Sequence, residues 1–430
     1  ETIGKNEKFG PYRQSERKDL YQQYAAELIN SGNAYYAFDT AEALDAARKL
    51  EEEQGKTFIY NHTNREKLDT SLVISADETA KRIADGEHYV IRFKTPVNET
   101  LHLHDIIRGD VKFETNLLDD KVLFKSDGMP TYHLANIVDD HLMETSHVIR
   151  GEEWLPSMPL HVLLYRAFGW EAPEFAHLPL IMKPVGNGKL SKRDGDKMGF
   201  PVFPLDWKTA EGVSSGYREK GFFPEAVINF LALLGWNDGT DKELFSLEEL
   251  VAAFDLNRVH KAGAKFDPEK NKWFNHQYLI KQEDATLAKA YAPIFAEKGF
   301  SVDESVLTKV VSLIKERAHF VSEFWEMSDF FFVAPTAYDE KASKNWKEET
   351  PALMQELISV VEEITDFSSM NIETIVKDWM TKNEIGMGKV MQPFRLSLVG
   401  ALKGPHLFDI VELIGKEETI KRIEKAIATL

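Results

Sequence analysis

Apolar residues recur at helical spacing near the start of the chain, where Leu20, Tyr24, Ala25 and Leu28 place one face of a helix over residues 17–29, stopped by Ser31-Gly32-Asn33. Residues 41–54, rich in Ala, Glu and Lys, extend the helical pattern. The period then changes to two: residues 88–94 alternate polar and apolar up to Pro96, and shorter strand-like runs come at 110–114 and 122–125. Residues 35–128 therefore look like an α/β lobe set into a larger unit. Strand and helix signals alternate again over 131–181, as expected for part of a doubly wound parallel sheet. Beyond Pro204 the pattern is mostly helical. An apolar helix over 223–236 has Pro224 in its first turn and Gly235 as its C-cap. Further helices are expected at 304–324, 350–365, 371–383, 394–402 and 418–428.

A chain of 430 residues with 43% hydrophobic and 11% aromatic positions has material for two to four cores. No run of about 18 apolar residues marks a membrane span, and no leader is visible at the start as given. Cysteine is absent, which excludes disulfides and thiolate zinc sites. A soluble cytoplasmic protein is the expectation. The net charge of −18 would repel a polyanion on average. Local clusters decide phosphate affinity, however, and candidates are Lys261, Lys265, Lys270 and Lys272, and Lys382, Lys389, Arg395 and Lys403. Each of these is equally an ordinary solvated side chain.

The densest chemistry is Lys189-Leu190-Ser191-Lys192-Arg193, set among Gly186, Gly188, Gly195 and Gly199. Two ammonium groups three residues apart on a hinged loop suit a triphosphate, because charge growing on leaving pyrophosphate needs cations that arrive late. Taken alone, a basic pentapeptide is more often a solvated surface. Arg150 ends the apolar strand 147–149, where open α/β sheets bind ligands, and its guanidinium can grip a carboxylate in bidentate fashion. Tyr132 and Asn136 lie four apart and share a helix face, an arrangement that core packing alone would also explain. Asp139-Asp140-His141 has the composition of a metal cluster, although adjacent carboxylates are common at element ends.

The stretches GPYRQSER (10–17), SDGMPTYHLANIVDDHLMETSHVIRGEEW (126–154), HVLLYRAFGWEAPEFAHLPLI (161–181), KLSKR (189–193) and FDPEKNKWFNHQYL (266–279) occur in one order along nearly the whole chain. In this ordered series the chain resembles the class I aminoacyl-tRNA synthetases, and among them the bacterial-type glutamyl-tRNA synthetases. The resemblance implies a Rossmann-type parallel-sheet catalytic domain (1–34 and 129–200), an inserted acceptor-binding lobe (35–128), a stem-contact domain (201–290) and an all-α anticodon-binding domain (291–430). It implies ATP with Mg2+, L-glutamate and tRNA(Glu) as partners, and a monomer; the cysteine-bound zinc that some members carry is not expected here, because cysteine is absent. It places Tyr132, Asn136 and Arg150 on the glutamate. ATP falls to Glu153, Trp154, the main chain of Leu180 and Ile181, and Lys189, Ser191, Lys192 and Arg193. Lys189 and Lys192 are the catalytic pair, and Arg317 is the anticodon reader or else a surface arginine.

Two departures stand out. The family's His-Ile-Gly-His-type signature, which precedes GPYRQSER, does not occur, so a first part of the catalytic domain is expected upstream of Glu1. Residues 194–217 are also longer than expected after KLSKR, and the GFPVFP run in them has no derivable role. The function expected is ATP-dependent activation of glutamate and its transfer to tRNA. The alternatives are a non-discriminating form that also charges tRNA(Gln), a glutaminyl-tRNA synthetase, or a non-catalytic tRNA-binding module.

Overall fold

The computed structural model describes residues 8–210 and 212–430. The first seven positions of the expected 1–34 segment, and Glu211, lie outside them. Helix Lys18–Asn30 buries Tyr21, Ala25 and Leu28 at i, i+4 and i+7, with Leu20 and Tyr24 on the flank of that stripe. Ala25 and Leu28 are buried as the spacing predicts, while Tyr21 takes the central place expected of Leu20 and Tyr24. Its hydroxyl donates to Asp139 at 2.7 Å, so it can sit inside.

Strands Ala34–Ala37, Val90–Phe93 and Val122–Phe124 form an antiparallel sheet, and Thr100–Asp105 pairs with Gly109–Glu114 as a hairpin beside it. The buried carboxylate of Asp120 ties the sheet to its loops. It accepts from the Tyr35 hydroxyl at 2.7 Å, from the Thr95 N–H at 3.0 Å and from Arg65 at 3.2 Å. Full pairing of this kind is what makes a buried charge tolerable.

Strands His147–Gly151 and Glu174–Leu178 pair in parallel and are connected through the helix Met158–Phe168, a βαβ unit. A second parallel pair, Ile181–Met182 with Ala264–Lys265, ties this unit to the helical half of the chain. The mostly helical pattern expected there is interrupted near its start by the hairpin of Trp207–Thr209 and Gly212–Ser214.

The C-terminal helices enclose their own core, which includes Tyr291, Phe295, Phe324, Met354, Phe394 and Phe408. The helix expected over 304–324 ends at Ile314, and two 3-10 turns, Lys315–Arg317 and Val321–Glu323, precede the helix Phe324–Phe332. Side chains of the helix Pro268–Ile280 capture the carbonyls that a continuous helix would use: His276 takes Ala318 and Asn275 takes His319. The helix expected from 394 begins at Met387 instead and closes on Gly400, whose positive φ of 78° provides the stop. A Cβ at Gly400 would lie 2.8 Å from the carbonyl oxygen of Ala337. None of the helices among the described residues is long and apolar enough to cross a membrane.

One polar anchor holds the bundle together. Arg422 is 2% exposed and donates to the carbonyls of Phe330 at 2.5 Å and Leu398 at 2.9 Å, while its Nε reaches Glu418. Arg422→Ala is expected to destabilise the bundle by about 2–4 kcal/mol, because two buried carbonyls lose their donors. Urea unfolding followed by far-ultraviolet circular dichroism measures it. A midpoint unchanged from the parent would show that water replaces the guanidinium at no cost.

Candidate active site

Arg150 lies on the strand His147–Gly151, and its planar head is fixed from behind by imidazoles. Its Nε donates to Nε2 of His177 at 3.0 Å, and one terminal nitrogen lies 3.1 Å from Nδ1 of His161. His161 in turn meets His133 at 3.0 Å. Burial first, then the positive charge of Arg150, holds His161 well below the ordinary histidine range, so it accepts from the guanidinium as a neutral ring. His177 is fully buried, and its Nδ1 lies 2.6 Å from Asp105, also fully buried. Burial pushes the Asp105 carboxyl upward, but the His177 ring and the N–H groups of Arg108 and His177 outweigh it and leave the group below its ordinary value.

On its open side Arg150 faces Tyr132, with the hydroxyl 3.5 Å away, and the carbonyl of Trp154, also at 3.5 Å. The rings of Tyr132 and Trp154 lie 4.5 Å apart and are both partly exposed. Among the described residues no carboxylate forms an ion pair with Arg150. Asn136, one turn after Tyr132 on the helix Tyr132–Leu142, donates to Asp140 at 2.8 Å, and its side-chain oxygen is buried without a partner. Arg150 and Tyr132 thus set a cation and a phenol side by side, with the unpartnered Asn136 oxygen one helical turn on. A small anion that also carries an N–H donor would satisfy them.

The run Asp139-Asp140-His141, which has only the composition of a metal cluster, does not converge. Asp139 is bound by Arg17 and Tyr21, Asp140 by Asn136, and His141 stacks on Trp170 with ring centroids 3.7 Å apart.

The basic pentapeptide is built differently from the free loop expected. Residues 181–183 fold back on 188–190, with the Lys183 N–H donating to Gly188 and that of Leu190 to Ile181. Gly186 and Gly188, at φ of 81° and 105°, make the turn. Ser191 then caps the helix Lys192–Met198. Its N–H and its hydroxyl both donate to Asp194, at 2.8 and 2.6 Å, so the hydroxyl expected to meet a phosphate is engaged as a helix cap. These two bonds from Ser191, with help from Lys183, lower the Asp194 carboxyl to about 2, so the cap is fully formed above about pH 4 and is lost only as the pH falls towards 2.

Lys192 is the first residue of that helix, exposed, with its ammonium 5.2 Å from the ring of Phe203. The GFPVFP run thereby has a structural account. Phe200 stacks in the core on Phe266, Val202 covers Gly195, and Phe203 stacks on Trp207 beneath Lys192. Arg193 is exposed beside it.

Other expected nucleotide contacts are already in use. Lys189 is ion-paired with Glu153, which holds the Glu153 carboxyl below its usual range. The Leu180 N–H donates to Glu152 at 3.1 Å, and the Ile181 carbonyl accepts from Leu190. Glu152 is paired with Arg108, which also donates to the carbonyls of His177 at 3.1 Å and Lys261 at 2.5 Å. Tyr132, Arg150, Glu153, Trp154, Leu180, Ile181 and Lys189 thus form one connected neighbourhood, with Lys192 next to it. Arg317 stands apart on the exposed 3-10 turn after Ile314; burial first, then the nearby charge of Arg317, disfavours the charged form of Arg395.

Asp105, Arg108, His161 and His177 escaped the reading of the sequence. The available signal was a titratable residue inside an otherwise apolar strand, Phe175-Ala176-His177, and an acid closing the alternating strand Thr100–Asp105.

Residues 1–273 match the family model for the class I tRNA synthetases (E and Q), catalytic domain, and residues 285–427 match an anticodon binding domain. A glutamate–tRNA ligase of Flavobacterium johnsoniae is 86% identical over 430 residues, covering 100% of this chain and 86% of that protein. The corresponding ligase of Porphyromonas gingivalis is 52% identical over 436 residues, again with the whole chain and 85% of the relative covered. A crystal structure of a glutamate tRNA ligase from Elizabethkingia meningosepticum, in complex with its amino acid, superposes with a TM-score of 0.95 at 52% identity, over 98% of this chain and 84% of that one. With both parts of the chain matched and the fold reproduced, the chain belongs to the class I tRNA synthetases of the E and Q group, with a helical anticodon-binding domain behind its catalytic domain.

Proposed function

We propose that the protein is a glutamate–tRNA ligase that makes glutamyl-adenylate from L-glutamate and ATP and passes the glutamyl group to the 3′ end of tRNA(Glu). The observation that carries the choice of glutamate is Arg150, a guanidinium held by the imidazoles of His161 and His177 and left without a carboxylate partner among the described residues. A side-chain carboxylate completes it in bidentate geometry, whereas an amide presents one acceptor and two misplaced hydrogens. The Tyr132 hydroxyl adds a donor beside it, and the free oxygen of Asn136 suits the ammonium group.

In the first step the α-carboxylate attacks the α-phosphorus, the bond to the bridging oxygen of the β-phosphate breaks, and pyrophosphate leaves. Lys192 and Lys189 meet the charge that develops on that leaving group. Lys189 first exchanges Glu153 for phosphate, a small step because the pair is exposed. Mg2+ enters with the triphosphate and supplies further charge neutralisation. In the second step a ribose hydroxyl of the tRNA attacks the carbonyl carbon and AMP leaves. Residues 35–128 receive the acceptor end on this reading, 201–290 contact the stem, and 291–430 carry Arg317 to the anticodon. The protein works in the cytoplasm as a monomer.

Purified tRNA(Glu) and tRNA(Gln), offered separately with labelled glutamate and ATP, test the reading. Charging of tRNA(Glu) alone is expected. Charging of both would make the enzyme non-discriminating, and charging of neither by the intact protein would leave a tRNA-binding module.

A further inference from the structure

Behind Arg150 lies a chain of buried polar groups that reaches the hairpin strand Thr100–Asp105, beyond any contact to glutamate itself. Asp105 closes the strand Thr100–Asp105 of the inserted segment. One of its oxygens is fixed by the N–H groups of Ile107 at 3.0 Å and Arg108 at 2.8 Å. The other takes both the main-chain N–H of His177 at 3.1 Å and its ring Nδ1 at 2.6 Å. A carboxylate can only accept, so the ring hydrogen sits on Nδ1 and Nε2 presents a lone pair. That lone pair is what the Nε–H of Arg150 meets at 3.0 Å. Asp105 therefore selects the one tautomer that can hold Arg150 in place.

We propose that His177 and Asp105 are positioning residues for glutamate recognition: together they fix the plane of the Arg150 guanidinium so that its outer edge faces the incoming carboxylate. This role presupposes that Arg150 binds glutamate. Of the five N–H bonds of Arg150, the Nε–H is spent on His177 and one terminal N–H on His161, both on the inner side. On the outer edge the remaining N–H groups meet only the Tyr132 hydroxyl and the Trp154 carbonyl, both at a long 3.5 Å that a carboxylate can displace. Arginine loses much rotamer freedom when it is clamped, and the relay removes that freedom before glutamate arrives.

Asp105→Asn separates this role from simple packing. The two loop N–H groups retain the amide oxygen, so the NH2 group is directed at His177. The ring must then accept at Nδ1 and carry its hydrogen on Nε2, which opposes the Nε–H of Arg150. The same logic makes a carboxylate the arbiter of histidine tautomer in hydrolase triads. In the intact enzyme, assayed by pyrophosphate exchange, Asp105→Asn is expected to raise the KM for glutamate about tenfold or more through loss of a charge-assisted bond, with the KM for ATP little changed. His177→Gln, whose amide oxygen can stand where Nε2 stood, is expected to restore part of the affinity that His177→Asn loses.

An unchanged glutamate KM in folded Asp105→Asn and His177→Asn overturns the proposal. An equal fall in kcat for all three variants, with glutamate and ATP KM values rising together and a lower thermal midpoint, marks a packing role and overturns it too. Arg150→Gln runs beside them. Should that variant also keep its glutamate KM, the assignment of Arg150 fails first; should it alone lose glutamate, only the relay fails.

Discussion

Replacing Arg150 by glutamine should raise the KM for glutamate roughly a hundredfold, as two charge-assisted hydrogen bonds give way to one neutral contact. The surroundings make the loss hard to repair. His161 and His177 both present lone pairs towards this position, and a glutamine amide reaches neither as the guanidinium does. The neutral state of His161 rests first on burial, so removing the charge of Arg150 would not by itself turn the ring into a replacement cation. ATP binding should change little, because none of the residues expected at the triphosphate, on the turn 183–193, bonds to Arg150. Steady-state pyrophosphate exchange with glutamate varied at saturating ATP gives the number. A variant with the parent's KM would remove Arg150 from the amino-acid site.

Lys192→Ala should act on rate and leave glutamate affinity nearly intact, with a loss of about 2–4 kcal/mol in transition-state stabilisation. Lys189 is tied to Glu153 in the ligand-free protein, whereas the Lys192 ammonium stands over the Phe203 ring. A ring face holds an exposed cation only weakly, on the order of 0.5–1 kcal/mol. Lys192 can therefore leave it when phosphate charge appears and return afterwards. Single-turnover formation of glutamyl-adenylate separates this from binding. If adenylate formed at the parent rate, the loop would have no part in the chemistry.

The α/β front, the helical back and the strands around Arg150 were legible because they rest on period: three to four residues for the helices, two for the strands of the 35–128 segment. The parallel pair that carries Arg150 could be read from the short apolar run before it. What the pattern could not show are contacts between distant segments. Ser191 reads as a phosphate ligand until Asp194 is seen three residues on and folded back onto it. The bonds from the Leu180 N–H to Glu152 and from Leu190 to the Ile181 carbonyl are likewise invisible in the spacing. The break at Ile314 depends on His276 and Asn275, some forty residues earlier, competing for carbonyls. Asp105 and His177 are 72 residues apart, and neither periodicity nor spacing joins them.

The tip of the hairpin Thr100–Asp105 and Gly109–Glu114 bears on how such enzymes can be recombined. Asp105 and Arg108 both come from this tip, yet their partners are His177, Glu152 and Lys261, all outside the segment that carries them. The inserted segment is therefore not a cassette that can be cut out or exchanged at its two ends alone. A chimera that took it from a distant relative would need a matching acid and arginine at the tip, or a different side chain at His177. Grafts that respect only the sheet boundaries should fold and still handle glutamate poorly.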